Sequence, residues 1–404
     1  MRGNDFLDKM ELIDPAFIEA ADNMPQKRKI SWVKLGVVAA CFCLVVTSAV
    51  VMPGMLNSPF PPDSNPETSD TVKLTPITIP NQNEGGFGFE GYMYYDISDL
   101  NNGNPWNESM NIRFLPVYKN GAYDESGAGV PKGMNEAEMM EKLNNIAASL
   151  NLEILSTEVV ADGFIEINGN SAPTNIHAKT NNGTIYVEAD GNAVYFLPGE
   201  GLVLPDSYNF THSETTDIKA ENILSYFIGI YGNLLNFKNP KAVSSGSYNI
   251  HGEFMRDYMV YDAADSDLKS ILNYNFHSVK FLPNTEGYLI AIEIRDCLSS
   301  AEKIGDHPII SAAEATERLI SGDYLTNVPV EFPGAEYIGK VELIYRAGRL
   351  EEMLLPYYRF YVQLPDKINR SAEKKGLKTY GAYYVPAIAD EYIADMPIYE
   401  GSFN

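Results

Sequence analysis

Residues 35–52 read LGVVAACFCLVVTSAVVM and contain no charged side chain. At 1.5 Å per residue, a helix of about 18 to 20 apolar residues crosses a hydrocarbon layer of ~30 Å. The stretch therefore predicts one transmembrane helix, with the lipid bilayer as its surroundings. A cleaved signal peptide and a lipoprotein acylated at Cys41 remain as alternatives, although the apolar run is longer than a signal peptide requires.

The charges around this stretch predict its orientation. Lys27, Arg28, Lys29 and Lys34 precede it, whereas the first basic residue after it is Lys73. Positive charge favours the cytoplasmic side of a membrane. We therefore expect a cell-membrane protein with a cytoplasmic N-terminus and an extracytoplasmic C-terminal region.

The net charge of the chain excludes one class of partner. The first 34 residues carry six basic and six acidic side chains, so the whole net charge of −24 lies beyond residue 52. Such an acidic surface repels the phosphate backbone, and we expect no nucleic-acid partner. Cys297 is the one cysteine after residue 52, so no intramolecular disulfide is expected in that region.

Residues 1–34 are predicted to be a cytoplasmic amphipathic tail. Apolar residues recur there at helical spacing, and Asp14-Pro15 is typical of a helix start. The pattern predicts two short helices, and two short helices cannot bury a core of their own. We expect Ile13, Phe17 and Ile18 to fit the groove of a cytoplasmic partner, such as a sigma factor or another regulator.

Residues 53–86 are predicted to be an extended stalk. They hold seven of the 24 prolines in the chain, together with many serine, threonine and asparagine residues. This composition is typical of a semi-rigid linker.

Helices and clusters of strands then alternate three times. Asn135 with Glu138, and Ser311 with Glu314, have the spacing of helix capping boxes, and another helix is expected from about Asp217. The segments between them alternate apolar and polar residues, as strands packed on one face do. We therefore predict an α+β fold class with repeated units of a helix plus an antiparallel β-meander, at residues 87–212, 213–305 and 306–404.

No pattern in the sequence indicates catalysis, a metal site or a cofactor. The five histidines form no HExxH pair, and no GxSxG, SxxK or phosphate-binding glycine loop is present. Acidic runs at YDISDLNNGN and YDAADSDL lack the spacing of a calcium loop, so weak calcium binding remains open. We expect no cofactor and no catalytic residue.

The last fifty residues are rich in tyrosine. In the strand PYYRFYVQL, Tyr357, Arg359 and Tyr361 alternate with Tyr358 and Phe360, so the two sets lie on opposite faces. One set is expected in the core. The other, with Tyr357 and Tyr361, is a candidate face for stacking on the rings of a glycan.

Several segments resemble one group of bacterial proteins. They are LIDPAFIEAA and QKRKISWVKLGVVAACFCLVV near the start, then NPW, LPVYKN, PYYRFYVQLP and GLKTYGAYYVPAI. The chain resembles uncharacterised single-pass membrane proteins of clostridia and related gut Firmicutes. The resemblance implies a layout similar to that of anti-sigma factors, with a short tail and a large exported region.

Two functional hypotheses follow, from different classes. The first is a non-enzymatic, single-pass sensor or regulator of the cell envelope, whose exported region binds an unknown ligand or partner. The alternative is a passively anchored module that binds a cell-wall glycan or peptide. A carboxylate-based hydrolase is a third hypothesis, which would need two carboxylates facing each other in a pocket.

Overall fold

The computed structural model describes residues 74, 76–79, 89–123, 133–167, 170–205, 207–208, 210–213, 215–326, 328–348, 351–365, 376–397 and 399. All of them belong to one compact unit, Leu74–Asn404. The side chains of residues 161–172 are not described. The predicted tail, residues 1–34, and the predicted span, residues 35–52, lie outside the described residues.

The described chain is mostly β-strand, with a small number of helices. The helices are α1 Glu136–Ser149, α2 Asp217–Ile230, α3 Gly232–Leu235, α4 Asp267–Phe276 and α5 Ala312–Ser321. The first nine strands are β1 Ile77–Thr78, β2 Gly91–Tyr94, β3 Phe114–Asn120, β4 Ile154–Ile167, β5 Asn170–Thr180, β6 Gly183–Glu188, β7 Ala193–Phe196, β8 Pro240–Tyr248 and β9 Phe254–Asp262. The others are β10 His277–Pro283, β11 Leu289–Asp296, β12 Ala301–Pro308, β13 Leu325–Thr326, β14 Ile338–Tyr345, β15 Met353–Leu354, β16 Pro356–Gln363, β17 Lys378–Pro386 and β18 Ile393–Asp395.

Three helices begin where the sequence predicts. Asn135 caps α1 through a reciprocal pair of hydrogen bonds with Glu138, and Ser311 and Glu314 form the same capping box on α5. Each box satisfies two main-chain donors that the first turn of a helix leaves free. Helix α2 begins at Asp217, also as predicted.

The largest sheet has eight antiparallel strands in the order β4-β5-β6-β7-β11-β10-β9-β8. Helices α1 and α2 cover one face, α1 against β5 and β6 and α2 against β8 and β9. Their apolar side chains, such as Leu143 and Phe227, form a single core with the sheet. Strands β4 and β8 are the two edges of this sheet.

The remaining strands form three smaller sheets. One has five strands, in which β13 and β2 both pair with β17, and β16 lies between β17 and β14. A three-stranded sheet has the order β12-β3-β15, and β1 pairs with β18 in parallel. Helix α4 contacts β9 and β10 of the large sheet and also β14. It therefore joins the large sheet to the five-stranded sheet.

The predicted α+β architecture of repeated helix-plus-meander units is wrong. Strands from the predicted units 87–212 and 213–305 form one continuous sheet, because β7 pairs with β11. Strands β2 and β3, from the first predicted unit, pair instead with β17 and β12. A meander that stood alone would leave the main-chain groups of its edge strands unpaired, and pairing between distant segments satisfies them.

No helix in the described part of the chain is long and apolar enough to cross a membrane. The longest have 14 residues and span about 21 Å at 1.5 Å per residue, which is short of a bilayer core. Within the described residues, the predictions of a transmembrane helix, a single-pass protein and a membrane localisation therefore find no support.

Part of the predicted stalk, residues 53–86, belongs to the fold. Ile77 and Thr78 pair with β18, and Ile77 and Ile79 are 3% and 4% exposed. Their apolar contacts lie in a core shared with Tyr357 and Tyr384. The strand composition of TPITIP, read without its distant partner, gives no sign of this pairing.

Candidate functional site

A group of charged and polar side chains is buried where β14 and β16 lie side by side. Glu342 and Arg359 are register partners, and Arg359 Nη2 lies 2.9 Å from Glu342 Oε2. The other carboxylate oxygen, Glu342 Oε1, lies 2.9 Å from Lys340 Nζ. We call these three residues, together with Asn102 and Tyr361, the Glu342 cluster.

Neutral donors complete the surroundings of the Glu342 carboxylate, whose side chain is only 2% exposed. Asn102 Nδ2 donates to Oε2 over 2.8 Å, and the Tyr361 hydroxyl donates to the same oxygen over 3.0 Å. A buried charge is tolerated when it is paired and hydrogen-bonded in this way. The cluster is therefore a fixed part of the fold.

The pKa of Glu342 results from two opposing effects. Burial alone would raise it, but the positive charges of Arg359 and Lys340 outweigh burial and hold the pKa below its ordinary value. The carboxylate stays ionised at neutral pH. A general acid or base would need a pKa close to the working pH, so Glu342 is unsuited to that role.

A cleft of about 420 Å³ lies next to the Glu342 cluster, and we call it the tyrosine cleft. Its aromatic lining is Tyr92, Tyr94, Tyr274 and Tyr361. The rings of Tyr92 and Tyr361 meet edge to face with centroids 5.2 Å apart. Arg359 also lines the cleft, and its guanidinium lies 4.9 Å from the Tyr361 ring centroid. The arrangement offers aromatic edges and the fixed guanidinium of Arg359 to a ligand.

The tyrosine hydroxyls in this cleft stay protonated. Burial raises the pKa of Tyr92, Tyr94 and Tyr274 above the ordinary tyrosine value. Two of the hydroxyls already donate to main-chain oxygens: Tyr94 to Gly246 over 2.6 Å and Tyr274 to Asn102 over 3.0 Å. These bonds fix the rings against β8 and the segment that follows β2.

A second cleft, of about 740 Å³, lies along β8, and we call it the strand cleft. Four consecutive residues of β8, 241–244, line it. Successive side chains of a strand point to opposite faces of the sheet. A cleft that meets four in a row therefore faces the edge of β8.

Arg256 lines both clefts. Its guanidinium is held by Asp217 at 2.8 Å, by the Ser244 hydroxyl and by the carbonyl oxygen of Thr215 at 2.9 Å. Arg256 is 6% exposed as a residue, so these contacts fix its position. The two clefts thus share one preorganised charged group.

One cluster outside the clefts has the composition of a catalytic site. Ser299 Oγ lies 3.2 Å from Lys142 Nζ, and both groups bond the Asp296 carboxylate. Burial would raise the pKa of Asp296, but His277, Lys142 and Ser299 together lower it far below its usual range. The ionised Asp296 carboxylate therefore accepts hydrogen bonds from both Lys142 and Ser299 and holds the three residues together.

The acidic runs considered for calcium have other roles in the structure. Asp96 and Asp99 cap the short 3-10 helix Ile97–Asp99, and Asp262 accepts a hydrogen bond from the Asn239 main chain. Among the described residues no group of three or more histidine, cysteine, aspartate or glutamate side chains is placed to hold a metal ion.

The two predicted glycan-stacking residues, Tyr357 and Tyr361, are 0% and 1% exposed. The division of β16 into two faces is as predicted, but both faces are buried. Tyr358 and Phe360 join one core, whereas Tyr357 and Tyr361 join two others. The prediction of an exposed stacking face on β16 is therefore wrong, because β16 is a central strand covered on both sides. Tyr361 reaches the tyrosine cleft only at its wall.

The predicted anchors Ile13, Phe17 and Ile18 lie outside the described residues. Binding of a sigma factor by these residues stays a prediction.

Sequence reasoning missed most of the site. Asn102 and Glu342 meet although 240 positions separate them. The one local signal was Arg359, a charged residue in the middle of an aromatic strand, which needs a buried partner. Nothing in the sequence identifies Glu342 as that partner.

No known protein-family model matches this chain, and no curated protein is detectably similar to it. The resemblance to single-pass proteins of clostridia stays a prediction from the quoted segments.

Proposed function

We propose that the chain is a non-catalytic binding protein and that the tyrosine cleft and the strand cleft receive its ligand. The ligand class is a cell-wall glycan or peptide. The observation that carries the proposal is the lining of the two clefts, where tyrosine rings and hydroxyls stand beside charges already fixed by ion pairs. Ligand binding of this kind is required of a sensor or regulator and also of a passive binding module.

Three physical arguments support binding over catalysis. Tyrosine gives a large contact area with little loss of side-chain entropy, and its hydroxyl bonds polar ligands. Groups held in place before the ligand arrives, such as Arg256 and Arg359, lower the cost of ordering the site. The carboxylate of the Glu342 cluster is held ionised by its partners and does not exchange protons near neutral pH.

Blocking the tyrosine cleft tests the proposal. Ser247 lines this cleft on the edge strand β8, and Ser247→Trp would fill it. Ser156 is an exposed serine on β4, the opposite edge of the same sheet, so Ser156→Trp is a matched control. We expect solubilised peptidoglycan fragments to bind the unmodified chain in calorimetry. Ser247→Trp should weaken this binding by about tenfold or more, a change of about 1.4 kcal/mol.

Ser156→Trp should bind these fragments as the unmodified chain does. The proposal would be contradicted by fragments that fail to bind, or by equal affinity of the two tryptophan variants. Thermal unfolding of both variants shows whether the substitutions leave the fold intact.

A further inference from the structure

In the described part of the chain, strand β8 is paired with one other strand only. It pairs with β9 along its whole length, from Pro240 opposite Asp262 to Tyr248 opposite Phe254. It is the last strand of the eight-stranded sheet. An edge strand presents unpaired main-chain donors and acceptors to whatever lies beside it.

The register identifies the residues whose main chains face outward. At the two ends of the β8–β9 pairing, the Ala263 main chain donates to Asn239 and the Asn249 main chain donates to Glu253. In an antiparallel pair, hydrogen-bonded and non-hydrogen-bonded positions alternate. Odd-numbered residues of β8 therefore bond β9, and even-numbered ones point away from it. The Gly246 carbonyl, which accepts from Tyr94, confirms this assignment.

Ala242, Ser244 and Tyr248 are the even-numbered residues of β8 that line the strand cleft, and the first two are adjacent in this set. Within the described part of the chain, the outward main-chain groups of Ala242 and Ser244 make no hydrogen bond. Their N–H and C=O groups recur every second residue, about 6.6 Å apart. That repeat matches the main chain of an extended peptide.

The cleft walls admit a single strand. On one face of β8, Gly103 lies so close to Val243 that an added Cβ would come within 2.6 Å of a Val243 methyl. On the other face stand Asp217 and Glu221, in the first turns of α2. A second copy of the chain would carry the same walls around its own β8, so two such edges could not meet. The occupant is therefore a separate, unfolded segment.

The charges in the cleft indicate the sign of that segment. Asp99 and Glu221 line it, and Asp217 is neutralised by Arg256. Lys241 is the remaining cation of the lining, and its ammonium lies 5.9 Å from the Tyr261 ring centroid. The chain as a whole carries a net charge of −24. Such a field attracts and orients a positively charged partner.

We infer that the strand cleft binds an extended, positively charged peptide, which adds to β8 as a further strand of the sheet. This inference rests on the proposed binding function and assigns the peptide main chain as the recognised chemistry. Main-chain hydrogen bonds to Ala242 and Ser244 supply the register, and the acidic walls supply the preference for basic side chains.

Selective N-methylation of a peptide tests this inference. The probe is a fluorescein-labelled peptide of eight alternating lysine and threonine residues, and its binding to the full chain is followed by fluorescence anisotropy. Two methylated versions carry the methyl groups on alternate amides, one version on the odd set and the other on the even set. In an added strand only one set of amides donates to β8. We expect one version to lose about tenfold or more in affinity, while the other stays within about threefold of the unmodified peptide.

Equal affinity of the two methylated versions would overturn the inference, since attraction of lysine to an acidic surface alone predicts that result. Failure of the unmodified peptide to bind would also overturn it. If peptidoglycan fragments still bind in either case, the proposed function stands and strand addition alone fails. Ala242→Pro is a second measurement, because it removes an outward N–H but no bond to β9; unchanged peptide affinity of the folded variant would count against strand addition.

Discussion

At the scale of single residues, the buried pair Glu342 and Arg359 has the strongest effect on the site. The carboxylate accepts hydrogen bonds from Asn102 and Tyr361 and lies 2.9 Å from Arg359 Nη2. Removing one member of a buried pair costs more than the pair contributes, because the other charge is left without compensation. The network also joins β14 and β16 to the segment after β2.

Glu342→Gln is expected to lower the free energy of unfolding by about 2 to 3 kcal/mol at pH 7, because Arg359 and Lys340 lose their shared anion. The folded-state pKa of Glu342 is lowered, so its contribution is present above the unfolded pKa of about 4.3 and is lost as pH falls through the folded value. Urea unfolding between pH 7 and pH 3 should show the difference between variant and unmodified chain shrinking below about pH 4.5.

Glu317→Gln, at an exposed position of α5, is the control for this measurement. It should change stability by less than about 0.5 kcal/mol at every pH. A loss for Glu342→Gln that is the same at pH 7 and pH 3 would show that the carboxylate charge is not what stabilises the cluster.

Residue patterns identified only part of the site. The alternation along PYYRFYVQL assigned Tyr357 and Tyr361 to the same face correctly, but it could not show that this face is covered. Coverage depends on β2 and on the segment with Asn102, which lie far away in sequence. A single sequence carries no local signal for a contact between segments so far apart.

At the scale of elements, helix ends were predictable and strand partners were not. A capping box is contained in four consecutive residues, so Asn135 and Ser311 could be identified directly. Helix α4 has no such local signal, because NYNF at its end has strand composition and Ser266, its N-cap, lies in the acidic run YDAADSDL. The helix packs into a core with Tyr345 and Leu115, and this burial outweighs the preference of its own sequence for a strand.

The end of α5 gives a prediction about glycine. Gly322 has a φ of +101°, whereas Gly229 lies inside α2 with an ordinary helical backbone, and a Cβ at either position would meet nothing within 4 Å. Gly322→Ala should therefore destabilise the chain by about 1 kcal/mol through backbone strain alone. Gly229→Ala should stabilise it by about 0.5 to 1 kcal/mol, because alanine favours the helix.

Denaturant unfolding of both glycine variants compares the same chemical change in two backbone conformations. If both substitutions change the free energy of unfolding in the same direction, the helix cap at Gly322 does not require a residue in the left-handed conformation.

At the scale of the whole molecule, the sheets join segments that the sequence separates. The pairing of β7 with β11 merges two predicted units, and the pairing of β2 with β17 joins strands of the first and the last predicted unit. The repeated pattern of helix and strands described local composition, and it carried no information on which edges pair. This is why the predicted units do not correspond to the sheets.

These pairings predict that residues 213–305 cannot fold alone. Such a fragment keeps β8 to β11 but exposes the edge of β11 that bonds β7, and it exposes Ile271 and Phe276 of α4, which pack into a core with Leu343 and Tyr345. We expect circular dichroism of the fragment to show no cooperative thermal transition, whereas residues 74–404 should show one. Cooperative unfolding of the fragment would instead support independent units.

Tension applied between residue 76 and residue 396 would reach β1 and β18 before any other strands. The two run in the same direction, with Ile77 opposite Ile393 and Thr78 opposite Asp395. A pull on the start of one and the end of the other slides them lengthwise, so their hydrogen bonds resist together instead of opening in turn. The short pair of strands β1 and β18 is thus where the molecule would first resist being stretched.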